Sequence, residues 1–267
     1  MKILVIGGGN MGKTFAQSFL NAKIITKEQL FILEKDRLKV DIFNQYEIGI
    51  ARYDFDNYIS EMDIIILAVK PQDIDTIYSQ LKPFLQAEQI IISIMAGIKM
   101  KAIQQHLGVS RIIRAMPNLP CQIGKGFTAY VSSESVPDKD LAFIKLLFDT
   151  TGFSIMVSKE EKLDAITALS GSGPAYVLYF LDAMIQAGQT LGFDYEEALI
   201  IATQTFSGSV DMLTQNNITC KQWIDRVASK GGTTEAALKV FNENDINTNI
   251  QKGIFSACER ATELSKG

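Results

Sequence analysis

Short, uninterrupted apolar runs alternate along the first part of the chain with stretches in which apolar residues recur every three or four positions. The runs are KILVIG, QLFILE, DIIILAV, QIIISIM and RIIRAM. They are apolar at nearly every position rather than at every second one, which predicts parallel strands covered on both faces. Strands alternating with helices predict a doubly wound α/β sheet. GFTAYVS (126–132) and FSIMVS (153–158) flank another helical stretch and extend the same sheet.

Beyond Ser158 the strand pattern stops and helical periodicity takes over, at 160–169, 174–191, 194–215, 219–228, 234–243 and 249–265. Asp194 with Glu197 and Thr219 with Gln222 have the spacing of capping boxes. Pro174 suits a helix start and Gly192 a left-handed stop. The expected organisation is a Rossmann-like doubly wound domain over 1–158 and an all-helical domain over 159–267. The helical half is unusually apolar for free-standing helices, above all at 174–191, so it is expected to dimerise.

With 267 residues, 47% of them hydrophobic, the chain can bury a substantial core. A formal net charge of -4 argues against a phosphate-binding surface of clustered Lys and Arg, which removes nucleic acid as a partner. Cys121, Cys220 and Cys258 fit neither a disulfide framework nor a zinc motif, so a reducing cytoplasm is expected and no metal. The N-terminus lacks the features of a signal peptide, and Asp182, Gln186 and Gln189 interrupt the longest apolar helix, so no membrane segment is expected.

Gly7, Gly9 and Gly12 form G-x-G-x-x-G between the first strand and a helix opening at Asn10 and Met11. In that setting Gly7 allows the tight turn, Gly9 lets backbone approach a pyrophosphate, and Gly12 lets helix pack close to strand. The helix mouth then offers N–H donors to the phosphates. Glu34 ends the second strand about 20 residues on, where an acidic side chain accepts bonds from the adenosine ribose and favours NADH. Lys35 and Arg37 follow it and can turn toward a 2'-phosphate.

Ligands of open α/β sheets sit beyond the carboxyl ends of the strands. Ala68, Val69, Lys70 and Pro71, then Ala96 and Gly97, stand at two such ends, and Asn118 lies between two prolines at a third. ALSGSGPAYV (168–177) is a small-residue loop before a helix. RVASKGGTTEAAL (226–238) is another, whose Gly231, Gly232, Thr233 and Thr234 amides gather at a helix mouth that suits a carboxylate. A threonine could equally be a simple N-cap there. His106, the chain's one histidine, falls at a helix end and reads as structural. Alcohol oxidation generally needs a base, whereas reduction of a protonated imine needs chiefly orientation.

IGGGNMG, AVKP, SIMAGI, RAMPNLP, ALSGSGPAYV and VASKGGTTEAAL resemble, in sequence and order, the motifs of the pyrroline-5-carboxylate reductase family, from residue 3 to about 260. The resemblance implies reduction of 1-pyrroline-5-carboxylate to L-proline with NADPH or NADH. It implies that Gly7 to Gly12 hold the pyrophosphate, while Ala68 to Pro71 and Asn118 lie along the ribose and nicotinamide. It also implies that Ser229 and the Gly231 to Thr234 backbone take the substrate carboxylate, that Thr234 bonds the ring nitrogen, and that the loop carrying Ser172 closes the pocket. A homodimer with interleaved helical domains is implied, built in some members into larger rings. Lys230 stands where many members have proline. Two other outcomes compete. A related imine reductase or β-hydroxyacid dehydrogenase shares the architecture, but the latter needs a catalytic lysine that 174–191 lacks. A non-catalytic nicotinamide-nucleotide sensor would have no use for the two later loops.

Overall fold

The structure is a computed structural model that describes residues 1–265. Eight strands form one sheet: β1 (Ile3–Ile6), β2 (Leu30–Leu33), β3 (Ile50–Arg52), β4 (Ile64–Leu67), β5 (Ile90–Ser93), β6 (Ile112–Met116), β7 (Gly126–Ser132) and β8 (Gly152–Met156). Their order is β3-β2-β1-β4-β5-β6-β7-β8. The first six run parallel, with Ile3 opposite both Leu30 and Ile64; β7 lies antiparallel to β6, and β8 parallel to β7. The parallel part is the doubly wound order expected from the apolar runs, with a switch point between β1 and β4.

Burial explains why those runs are continuous. Ile3 and Val5 face one core with Phe15, Phe19, Ile66 and Phe148, while Leu4 and Ile6 face the other with Ile65, Ile91, Ile103 and Leu107. Each strand therefore spends both faces on apolar contacts. Helix α1 (Asn10–Asn21) buries Phe15, Ala16 and Phe19 at helical spacing, and the edge of Phe15 meets Phe148 with ring centroids 6.0 Å apart. Three helices complete the parallel half: α2 (Arg37–Gln45), α3 (Ile74–Leu81) and α4 (Met100–Leu107). Helix α5 (Asp138–Asp149) joins β7 to β8. Strand β3 was not among the expected runs. Its three residues carry a single buried side chain, Ala51, so its place comes from pairing with Phe31, Ile32 and Leu33 and not from a local pattern.

Helix α6 (Lys162–Ile166) continues into a π-helical turn over Thr167–Gly171, which begins within the expected helix 160–169 and runs two residues beyond it. Then come α7 (Gly173–Thr190), α8 (Tyr195–Gln215), α9 (Cys220–Val227), α10 (Thr233–Glu243) and α11 (Ile246–Leu264). Both expected capping boxes form, at Asp194 with Glu197 and at Thr219 with Gln222, and Gly192 has φ +103°.

Packing divides the chain into a unit of Met1–Ser172 plus the residues from Ala257, and a second of Gly173–Ser256. The division falls after Ser172 and not near Ser158, because the intervening segment is bound to the sheet. Leu163 is fully buried against Ala129 and Val131, and Arg114 pairs with Glu160 and Asp164. The last two residues of the expected second domain lie outside the described residues. Among the described residues of the second unit, the buried apolar side chains are Ile185, Ala198 and Ala202. Large apolar side chains such as Tyr179 (75% exposed) and Leu191 (79%) face outward.

Candidate active site

A cleft of about 1090 Å³ opens at the β1/β4 switch point, lined by Gly7, Gly9, Glu34, Ala68 and Lys70 among others. The sequence shapes its floor by omission. Gly7 has φ +103°, and a Cβ there would come within 2.7 Å of the Ala68 carbonyl oxygen; at Gly12 a Cβ would overlap the Gly7 carbonyl oxygen. Gly9 is exposed, and a Cβ on it would meet nothing within 4 Å, so the space beside it is open. Gly9 is the N-cap of α1 and no side chain caps the helix. The first-turn amides of Asn10, Met11 and Gly12 thus lack intrahelical acceptors and face the cleft end of the sheet with the positive end of the helix dipole. A donor set of backbone amides beside an open, side-chain-free approach fits a dinucleotide pyrophosphate.

Glu34 is placed differently from the simple ribose-binding expectation. It is only 7% exposed, and its carboxylate accepts the N–H of Gly8 (2.8 Å) and of Asp36 (3.0 Å). Its two oxygens hold the glycine-rich loop to the β2 end, although the residue still forms part of the cleft wall. Cations occupy the rim. The Arg37 guanidinium lies over the Tyr53 ring, 4.5 Å from its centroid, and Lys35 is exposed, 3.4 Å from Asp73. Tyr53 and Lys39 also line the cleft and were not singled out from sequence. Tyr53 sits in the turn after β3 and carries no motif that would have marked it.

At the β4 end, Ala68 and Val69 are half-buried, Lys70 is exposed, and Pro71 begins a short 3-10 turn leading to α3. At the β5 end, Ala96 and Gly97 are half-buried; Gly97 has φ +78° and packs against the Leu264 backbone. Asn118 has its amide group engaged within the protein. Its Nδ2 donates to Ser170 Oγ (3.0 Å), and its Oδ1 accepts the Phe127 N–H (2.9 Å). Asn118 thereby ties the end of β6 to the π-helical turn that precedes Ser172. A π turn is an uncommon departure from regular helix that frequently marks functional sites. Its signal in the sequence is the run of small residues, ALSGSG.

The Ser229 to Thr234 loop belongs to the second unit. Two of its expected free donors are already used: the Gly231 N–H donates to Glu235 Oε2 (2.7 Å) and the Gly232 N–H to the Ser229 carbonyl (3.0 Å). Gly232 is the N-cap of α10, and Thr233 and Thr234 are its first two residues. Threonine is therefore not the cap, and the amides left at the helix mouth are those of Thr233, Thr234 and Glu235. Ser229 packs over Gly232, where a Cβ would come within 2.6 Å of Ser229 Oγ. Glu235 lies three residues beyond the cap, the spacing at which a glutamate reaches back to the loop, so the sequence did carry its signal.

Neither glycine-rich loop contains a histidine. His106, in the last turn of α4, stacks on Tyr78 with ring centroids 4.7 Å apart. Burial, reinforced by the Asp75 charge, pushes the Tyr78 phenol up to about 12. Among the described residues no group of three or more His, Cys, Asp or Glu is arranged to hold a metal ion, and no helix is long and apolar enough to cross a membrane.

Residues 160–264 match the family described as pyrroline-5-carboxylate reductase dimerisation, and residues 2–97 the family described as NADP oxidoreductase, coenzyme F420-dependent. The chain is 32% identical over 268 aligned residues to pyrroline-5-carboxylate reductase 2 of Bacillus subtilis, covering 99% of this chain and 95% of that one. It superposes on a pyrroline-5-carboxylate reductase of Coxiella burnetii with a TM-score of 0.90 and 31% identity, covering 100% and 99% of the two chains. For the Plasmodium falciparum pyrroline carboxylate reductase with NADP bound, the values are 0.89 and 29%, covering 99% and 98%. Prephenate dehydrogenase of Aquifex aeolicus, at 14% identity and a TM-score of 0.56, shares the fold alone. With 32% identity to such a reductase over 99% of its length, the chain belongs to the pyrroline-5-carboxylate reductase family.

Proposed function

We propose that this protein reduces the cyclic imine 1-pyrroline-5-carboxylate to L-proline with a hydride from NAD(P)H, as a cytoplasmic enzyme. The observation that carries the proposal is the presence, in a chain aligned throughout with such reductases, of two helix mouths without side-chain caps, one at Gly9 and one at Gly232. The first suits a pyrophosphate and the second a substrate carboxylate. When bound, a reduced nicotinamide supplies the hydride that, with one proton, turns the imine C=N bond into the secondary amine of proline.

The chain's own residues bind and orient. The Asn10, Met11 and Gly12 amides hold the pyrophosphate, while Ala68 to Pro71, Ala96 and Gly97 line the sugar and nicotinamide. Asn118 steadies the Ser172 loop through Ser170. The Thr233 and Thr234 amides and the Ser229 hydroxyl receive the carboxylate, with Gly231 and Gly232 shaping the turn. The Thr234 hydroxyl bonds the ring nitrogen. A protonated imine needs little further proton transfer, so the proposal requires no histidine base. The test is direct: purified protein is mixed with pyrroline-5-carboxylate and NADPH or NADH, and nicotinamide absorbance and proline are followed. Turnover with neither cofactor overturns the proposal.

The rim of the cleft bears on which cofactor is preferred. With Glu34 held by two backbone amides, Arg37 on its tyrosine shelf is the group best presented to a ribose 2'-phosphate. NADPH is therefore expected to be used at least as well as NADH. Arg37→Ala is expected to raise the KM for NADPH about fivefold, the worth of one charged contact at a solvent-exposed rim, and to leave the KM for NADH unchanged. Equal effects on both cofactors would remove Arg37 from the ribose end.

The second unit supports a homodimer as the working form. Its helices bury almost nothing within the unit while exposing Val177, Tyr179, Leu191, Ile200 and Phe255, far more apolar surface than a monomeric protein leaves to water. Light scattering at micromolar concentration is expected to return twice the chain mass or a multiple of it. A ring of dimers would appear as the higher multiple, and a monomer mass would contradict the proposal.

A further inference from the structure

The loop between β5 and α4, residues 94–99, is held at Gly97 and at its far end by one circuit of buried and part-buried contacts. At its far end the Met100 N–H, the first amide of α4, donates to Glu160 Oε1 (2.9 Å). The same oxygen accepts from Arg114 Nη1 (3.1 Å), and Arg114 Nη2 reaches Asp164 Oδ1 (3.3 Å). Ser265 Oγ donates to that oxygen of Asp164 (2.8 Å). The circuit closes at the adjacent residue, because the Leu264 carbonyl oxygen lies where a Cβ on Gly97 would come within 3.0 Å of it. Arg114 and Ser265 are 2% and 7% exposed, so the two links to Asp164 lie largely out of water, where hydrogen bonds to charged groups are strongest.

We infer that the end of α11, Leu264 and Ser265, is a positioning element for the Ala96–Gly97 segment at the carboxyl end of β5, acting through Asp164, Arg114 and Glu160. Two independent features point there. Gly97, with φ +78°, has no side chain between its backbone and the helix end, so the two backbones pack directly against each other. Ser265 spends its hydroxyl on a carboxylate that already has an arginine partner, which fixes the helix end in register with the ion pairs that cap α4. Ser265 touches neither substrate nor cofactor in this scheme. Its role is to hold the loop in the shape that the nicotinamide half of the cofactor meets, and the inference rests on the cofactor proposal above.

The test compares the full-length protein with Ser265→Ala and Ser265→Thr. Hydrogen exchange of a peptide spanning residues 94–100, in protein without cofactor, is expected to speed up about two- to tenfold in Ser265→Ala, as for loss of one hydrogen bond. The β1 amides should keep their wild-type rates. Calorimetric titration with NADPH should show affinity weakened by a similar factor, and Ser265→Thr, which keeps a hydroxyl, should restore both. If wild-type protein binds no dinucleotide, the cofactor proposal fails. If wild-type protein binds it and Ser265→Ala changes only one of exchange and affinity, or neither, the positioning role is overturned while the cofactor proposal stands.

Discussion

Thr234→Ala is expected to lower kcat/KM about 10- to 150-fold, the loss of one charge-assisted hydrogen bond of roughly 1.5 to 3 kcal/mol. NADPH affinity should barely change, because the residue belongs to the mouth of α10 and not to the sheet cleft. A capping role would have complicated the experiment, since losing a threonine cap costs about 1 kcal/mol of folding free energy. Gly232 holds that position and no side chain caps the helix, so stability should stay close to wild type. His106→Asn serves as the companion variant. Its ring stacks on Tyr78 and is not part of the cleft lining, so kcat/KM with its pH dependence should remain nearly unchanged. Wild-type activity in Thr234→Ala would take Thr234 out of the site, and a large loss in a well-folded His106→Asn would mean that a histidine moves the proton.

Arg114→Ala should act on the fold before it acts on the chemistry. Its guanidinium lies between Glu160 and Asp164, and removing it leaves carboxylates in a poorly hydrated place without their counter-charge. Breaking a buried pair from one side costs about 3 to 5 kcal/mol, and for a chain of this size that is a Tm loss of roughly 6 to 20 °C. Urea unfolding followed by circular dichroism measures it. Neutralising both carboxylates together with the arginine, as Arg114→Met with Glu160→Gln and Asp164→Asn, should recover part of the loss, because uncompensated charge is what makes the single change costly. A single-variant loss below about 1 kcal/mol would mean that water reaches these groups and that they behave as a surface ion pair.

The contrast between Arg114 and its strand neighbours shows where reading along the chain stops. Ile112, Ile113 and Ala115 announce a buried strand by being apolar, and the prediction of β6 needed nothing else. An arginine in such a run signals that some partner must exist, since an arginine is almost never buried unpaired. The partners, however, lie 46 and 50 residues further on, and Ser265 reaches Asp164 across 101. No local pattern encodes a choice made over such distances.

What the sequence determined by itself is what depends on near neighbours. The continuous apolar runs require a sheet covered on both faces, Gly7 and Gly12 require a turn and a helix packed too closely for side chains, and Asp194 and Thr219 cap helices through residues three positions away. The order of the small-residue loops was enough to identify the family. Tertiary structure decided the rest, because each remaining choice is a competition among distant groups. It placed β3 on the sheet edge through pairing with β2, and moved the unit boundary past Ser172 through Leu163 and the Arg114 ion pairs. It turned Glu34 onto Gly8 and Asp36, and gave the Gly231 amide to Glu235. A buried donor or acceptor takes whichever partner the fold brings within about 3 Å, since leaving it unpaired costs more than the bond gains. That partner is known only once the chain has folded.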